Sequence, residues 1–262
     1  MDHTFVIPAY QESAYLEECI QNLLVQTVKS KIIITTSTPT DHSRQLAKKY
    51  DLEYHINPKE KTGIAGDWNF ALSKADTRLV TIAHQDDIYE PGYAQAVTAQ
   101  FAPRSADKIL IAFTGYTDVV NNQARPWGLN AVVKNVLLLP FAFGKSISNR
   151  ALKKLVLLFG DPICCPSVTF NKAALGDFNF PAGYLVALDW FAWHELAKRE
   201  GAFIYINKKL MRHRIHPASE TTLQINKGIR KQEEARLLEL MWGKTLARLI
   251  APVYALGHRE NI

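Results

Sequence analysis

Short β-branched runs alternate with helix-period patterns through the first hundred residues. Thr4 to Pro8 (TFVIP), Lys31 to Thr35 (KIIIT), Leu52 to Ile56 and Leu79 to Ala83 (LVTIA) have the length and composition of strands buried on both faces. Between them, Leu16, Ile20, Leu23 and Leu24 recur at helical spacing, as do Ile64, Trp68, Ala71 and Leu72. This alternation predicts βαβ units, hence an α/β fold with a largely parallel central sheet and helices on both faces. A fifth strand is expected over Ile109 to Tyr116, after a helix that begins at Pro91, since proline suits a first helical position. Residues 121–163 read as a long irregular segment with an apolar patch at Val136 to Pro140 and a basic amphipathic helix over Ser146 to Phe159. Order resumes with a strand at Ser167 to Phe170, a helix over Leu188 to Arg199, a strand over Phe203 to Met211 and a last helix from Ile225 to Leu249. With no internal repeat and no Pro/Gly/Ser linker, one domain is expected.

In open α/β sheets the ligand sits beyond the carboxyl ends of the strands. The segments expected to converge there are Ala9 to Ser13, Thr36 to Thr40, Asn57 to Gly63 and His84 to Ile88, and most of them carry the carboxylates, hydroxyls and glycine of a polar cleft.

Composition narrows the function classes. A length of 262 residues with 47% hydrophobic content allows a sizeable core and excludes disorder or a fibrous repeat. The formal charge of +6 suits either anionic partners or an ordinary solubilising surface. Only Cys19, Cys164 and Cys165 are present, two of them adjacent, so a reducing compartment, the cytoplasm, is expected in place of a disulfide framework. The start, Met1-Asp2-His3-Thr4, lacks the basic and apolar regions of a secretory signal, and apolar stretches stop at about a dozen residues where a spanning helix needs about 20. Nucleic acid is not an expected partner, because the aromatics follow core periodicity and do not interleave with the basic residues.

The strongest local signal is His84-Gln85-Asp86-Asp87, directly after an apolar strand. Adjacent carboxylates repel one another at a strand end, and a divalent cation relieves that repulsion. Asp86 is therefore the candidate ligand, whereas Asp87 suits a helix cap equally well.

The series Val6-Ile7-Pro8-Ala9-Tyr10-Gln11-Glu12, then Pro39-Thr40-Asp41, then Gly63 to Leu72, then Gln85-Asp86-Asp87-Ile88-Tyr89-Glu90-Pro91 resembles the family 2 glycosyltransferases of the GT-A fold. Beyond Tyr116 the resemblance survives in two islands, Leu188-Asp189-Trp190 and Arg214-Ile215-His216. It implies inverting transfer of a sugar from a nucleotide-sugar donor to a carbohydrate or lipid-linked hydroxyl acceptor, in cell-surface polysaccharide or glycolipid synthesis. It divides the domain into a nucleotide-sugar-binding half (1–116), an acceptor and catalytic half (117–220) and a helical tail (221–262). It places Pro8, Tyr10, Glu12, Thr36, Ser37, Asp67, Gln85 and Asp86 around the donor, with Mn2+ or Mg2+ held by Asp86, His84 and His216.

This sequence departs from the family pattern at several of these positions. His84 stands where the family carries Asp, which favours Mn2+ over the oxygen-seeking Mg2+ if the imidazole is a ligand and not simply a hydrogen-bonded strand-end histidine. Thr36-Ser37 replace an Asp pair that reads the base, so uridine, thymidine and guanosine donors all stay open. Trp68 occupies a usual arginine position and reads as core, and His213 reads as bland.

The resemblance makes Asp189 the general base, although the same residue suits the first turn of a helix. Val136 to Phe143, Lys145 to Lys154 and Lys227 to Arg236 combine apolar and basic residues as a peripheral contact with the inner face of a membrane would. An oxidoreductase is excluded by the missing glycine-rich turn after the first strand. A nucleotidyltransferase lacks its own loop there, which leaves a non-catalytic nucleotide-sugar-binding or assembly protein as the alternative.

Overall fold

Strand β1 (His3–Ala9) shows how the sheet is covered on both sides. Phe5, Ile7 and Ala9 pack against α1 (Leu16–Leu24) and α2 (Asp41–Lys49), while Val6 packs on the other face against α3 (Ile64–Lys74). Alternate residues of an extended strand point to opposite faces, so an unbroken apolar run serves both layers. The computed structural model describes residues 1–58, 63–102, 108–125, 129–217, 219 and 228–256.

The remaining strands are β2 (Lys31–Thr36), β3 (Glu53–Ile56), β4 (Leu79–Ile82), β5 (Ile88–Tyr89), β6 (Ile109–Val120), β7 (Gln123–Arg125), β8 (Ser146–Ile147), β9 (Val168–Asn171) and β10 (Ala202–Ile215). Their order is β3-β2-β1-β4-β9-β6-β10-β5, with β7 beside β6 and β8 beside β10. Pairs among β1 to β4 are parallel, as is β6 with β10, while β9 runs antiparallel to both β4 and β6. The remaining helices are α4 (Tyr93–Thr98), α5 (Leu129–Leu137), α6 (Arg150–Leu157), α7 (Lys172–Leu175), α8 (Leu188–Ala197) and α9 (Ile229–Leu256). Helix α4 joins α1 and α2 in one layer, and α6, α8 and α9 join α3 in the other.

Several expectations are corrected. Helix α4 starts at Tyr93, with Pro91 in the turn before it. Residues 121–163 are less irregular than expected: Asn121 and Asn122, both in the left-handed region (φ 50° and 60°), make the tight turn from β6 to β7 that only a hairpin needs. The amphipathic helix is shorter, because Ser146 and Ile147 pair with β10. Within it Lys153 is buried and donates to Arg199 O and Gly201 O at 2.8 and 2.7 Å, so it is not part of a basic surface. Strand β10 runs on to Ile215, past the expected Met211. Helix α9 is broken at Gly243 (φ 74°), and the expected Ile225 start, with Lys227, lies outside the described residues. Among the described residues no helix is long and apolar enough to cross a membrane.

Candidate active site

The carboxyl ends of β1 to β4 form one rim. Between β1 and β4, the Gln85 side chain acts as an extra rung of sheet: its Oε1 accepts from Tyr10 N and its Nε2 donates to Tyr10 O, both at 3.1 Å. This fixes Tyr10 at the mouth with 49% of its surface exposed, beside half-buried Pro8 and exposed Glu12. At the end of β2, Thr36 Oγ1 accepts from Thr38 N (3.0 Å) and closes a turn. Ser37 Oγ donates to Asp67 Oδ2 (2.8 Å), and Asn57 Nδ2 donates to Asp67 Oδ1 (2.7 Å). Asp67 therefore ties two rim segments to α3 with its two oxygens, a bracing role beyond the expected donor contact. Residues 59–62 of the third rim segment lie outside the described residues. Trp68 is core, as expected, and its ring also lies 5.1 Å from that of His84.

A two-residue strand brings the distant parts of the site together. Because β5 pairs antiparallel with β10, Ile88 opposite Arg212 and Tyr89 opposite Met211, residues just before β5 face residues just after Arg212. Asp87 Oδ1 accepts from Arg214 N (2.9 Å), which displaces the helix-cap reading of this residue. The buried Arg214 guanidinium donates to Asp86 O, Asn122 Oδ1 and Glu18 Oε2 at 2.9, 2.8 and 2.7 Å, and lies 4.3 Å over the Tyr15 ring. His216 Nε2 donates to Asp86 Oδ2 at 2.9 Å. His213, opposite Asp118 on β6, donates from Nδ1 to its carboxylate at 3.0 Å.

These contacts set the charge states. Burial drives the Asp87 carboxyl up to about 7, with the neighbouring Asp86 charge adding to it. Asp86 stays below the usual carboxylate range: burial opposes its charge, but the His216 hydrogen bond and three nearby imidazoles outweigh it. Burial likewise opposes the charge on His213, yet the Asp118 hydrogen bond and the pair of acids raise it to about 9. Burial lowers His84 to about 4, leaving a neutral imidazole with a free lone pair.

The donor set fits a divalent ion. His84, Asp86 and Asp87 each present a ligand atom, all within 4.8 Å of one another. Among the described residues, buried His84 Nε2 and Asp87 Oδ2 have no hydrogen-bond partner. Such orphaned atoms cost about 1–3 kcal/mol each unless something binds them.

Asp189 opens α8, its Oδ1 accepting from Trp190 N at 2.8 Å. The loop before it is held from α9: buried Glu233 accepts from Leu185 N, Val186 N and Ala187 N at 2.7, 2.9 and 2.9 Å. Burial raises the Asp189 carboxyl, and Lys134 from α5 and Arg230 from α9 partly offset that. Cys164 and Cys165 are raised chiefly by burial, and both lie near enough to Asp87 and to Asp189 for each acid to raise them further. A separate cavity of about 650 Å³, lined by Met1, Lys31, Glu53 and Arg78 among others, lies at the opposite end of the strands and away from this chemistry.

Residues 4–175 match the family model described as glycosyl transferase family 2. The chain belongs to this family. Among curated family members, glycosyltransferase GlyG of Streptococcus pneumoniae serotype 4 is 25% identical over 122 residues, covering 45% of this chain and 40% of that one. The uncharacterized glycosyltransferase RP339 of Rickettsia prowazekii is 22% identical over 226 residues, covering 85% of this chain and 67% of its own. The chain thus spans less than half of the first of these relatives. In structure it is similar to S. aureus TarS 1–349 (TM-score 0.64, 15% identity, 99% of this chain and 72% of that one). It is equally similar to the mannosyltransferase PcManGT of Pyrobaculum calidifontis, solved with GDP-Man and Mn2+ (TM-score 0.64, 16% identity, 99% and 75%). The fold is the GT-A-like fold of family 2.

Reading the sequence missed Glu233, Asp118, Asn122 and Glu18, and treated His213 as bland. The Asp118–His213 pair follows from a parallel register that no local pattern shows, and Glu233 reaches its loop across 46 residues of sequence.

Proposed function

We propose that the chain is an inverting glycosyltransferase that moves a sugar from a nucleoside-diphosphate sugar to a hydroxyl acceptor. The reading is carried by the His84–Asp86–Asp87 cluster at the strand ends, with its unpartnered His84 Nε2 and Asp87 Oδ2, in a member of this family. Asp86 and His84, with Asp87 in the same cluster and His216 hydrogen-bonded to Asp86, would hold Mn2+ or Mg2+, and such an ion would supply charge neutralisation for a departing diphosphate. The chain's own residues do the rest. Arg214 grips the Asp86 carbonyl and fixes the loop that bears the ligands. The Tyr10 ring offers an aromatic face for the base, with Glu12 as an acceptor for ribose or base hydrogens. Thr36 and Ser37 select the base with hydroxyls, and the Ser37–Asp67 contact holds that segment in place. Asp189 takes the proton of the acceptor hydroxyl as its oxygen bonds to the anomeric carbon, and the electron pair of the broken bond leaves with the diphosphate. One displacement inverts the carbon.

Thermal-shift measurements against UDP-, GDP- and dTDP-sugars with Mn2+ test the donor half. We expect one nucleotide class to raise Tm, and Asp86→Asn to remove the part of the shift that depends on the ion. A panel with no shift anywhere removes the donor assignment.

For the acceptor, we propose a lipid-linked molecule met at the cytoplasmic face of a membrane. Val132, Val136, Leu139 and Phe143 are exposed, Phe143 at 97%, and exposed Lys145, Arg150 and Lys154 follow closely in the chain. Apolar residues beside cations suit an anionic interface. The protein should therefore co-sediment with phosphatidylglycerol vesicles and not with phosphatidylcholine ones; equal recovery in both supernatants refutes the contact.

A further inference from the structure

The alternation along β4 carries two residues past its end. Val80 and Ile82 belong to the core layer that contains α3, whereas Leu79 and Ala83 belong to the other, so His84 leaves the sheet on the α3 side. Trp68, one turn along α3 from Ile64, meets it there: the indole and imidazole centroids are 5.1 Å apart, with the ring planes tilted by 36°. The indole is itself held in place. It is buried, and the Phe180 ring packs edge-on against it at 5.0 Å. The next residue of the helix, Asn69, fixes Phe180 in turn, its Nδ2 donating to Phe180 O at 2.9 Å and its Oδ1 accepting from Phe180 N at 2.7 Å.

No hydrogen bond aims the imidazole. Cys19 Sγ donates to the His84 backbone oxygen at 3.3 Å, which pins the chain and not the ring. Among the described residues the buried Nε2 has no hydrogen-bond partner, and Nδ1 lies 3.9 Å from Asp87 Oδ2, too far for a hydrogen bond. Two ligand bonds of about 2.1 Å each span up to about 4.2 Å, so a shared ion can bridge that separation. Histidine ligands are ordinarily oriented by a hydrogen bond to the second ring nitrogen, and at His84 an aromatic face stands where that bond is missing.

We infer that Trp68 is a positioning residue for the ion: its indole face holds the His84 ring beside Asp86 and Asp87, and the nitrogen so fixed makes the site prefer Mn2+ to Mg2+. The inference rests on the proposed ion at this cluster. An imidazole nitrogen favours a first-row transition ion, whereas Mg2+ keeps to oxygen. A ring free to turn would withdraw its nitrogen and leave the two carboxylates, which either ion accepts.

Trp68→Leu removes the ring face, Trp68→Phe keeps one, and His84→Ala removes the ligand. Mn2+ binding is read from the free-ion signal in electron paramagnetic resonance, and Mg2+ binding from its competition with Mn2+. We expect Trp68→Leu to weaken Mn2+ binding by about 10–100-fold, the usual cost of losing a group that orients a ligand, and Trp68→Phe by less than about tenfold. Mg2+ binding should weaken less, so the preference narrows. In the His84→Ala background Trp68→Leu should cost nothing further, because a residue that acts through another has no effect once the other is gone. A merely structural role would weaken both ions alike and would do so with or without His84; either result overturns the inference, as does wild-type Mn2+ binding by Trp68→Leu. If Trp68→Leu does not fold, tryptophan emission decides. Mn2+ should quench it in the wild type, and Trp68→Phe should lose that component, whereas absent or equal quenching overturns the contact. The two readings fail separately: a wild type that binds no Mn2+ removes the ion and this inference together, whereas binding lost in Asp86→Asn and untouched in Trp68→Leu removes only the role of Trp68.

Discussion

Asp189→Asn is expected to lower kcat by about 10²–10⁴-fold, the range a general base contributes, while donor binding stays within experimental error of the wild type. The substitution is close to isosteric, and the amide oxygen of Asn still accepts from Trp190 N, so the first turn of α8 survives. What is lost is a group able to take a proton from the acceptor hydroxyl. The decisive measurement is nucleotide release with acceptor present, set beside thermal shift with donor alone. A loss of turnover with an intact donor shift supports catalysis on this fold. Equal turnover in the two proteins removes Asp189 as the base, and no turnover in either leaves the non-catalytic donor-binding reading in place.

Glu233→Ala should be the most damaging change outside the candidate site residues. One buried carboxylate receives three backbone N–H groups of the loop at 185–187. Truncation leaves three donors without a partner, at about 1–3 kcal/mol each, so a loss of about 3 kcal/mol or more is expected. The same loop leads into Asp189, so misplacement of this proposed base should also lower kcat by at least about tenfold, since small displacements of a reacting group are costly. Glu233→Gln retains one accepting oxygen and should fall between the two. Urea unfolding and turnover together check this, and a Glu233→Ala protein with wild-type values for both shows that the clamp does not position the base.

β1, β2 and β4 were legible because each is an apolar run buried on both faces, whereas β3 (EYHI) is a half-exposed edge strand, and the rim residues followed from the rule that ligands gather at the carboxyl ends. His84 to Asp87 stood out for a physical reason as well: like charges crowded at a strand end call for a counter-ion. The second half was harder to read. β8 and β5 are two-residue strands whose pairing to β10 has no periodic signature. Lys153 looked like surface because nothing local reveals that Arg199 O and Gly201 O satisfy its ammonium. Glu233 and Asp118 take their meaning from partners far along the chain, so their neighbours in sequence carry no mark of the role.

The pairing of β10 with β6 and β5 has a consequence for synthesis on the ribosome. His216 meets Asp86 across 130 residues, and the strand before it fills an interior place in the sheet. A nascent chain can assemble its early strands while the candidate site is still incomplete, and β10 must emerge before His216 can meet Asp86. On the proposed assignment, His216 thus comes within reach of Asp86 only after most of the core strands have been made.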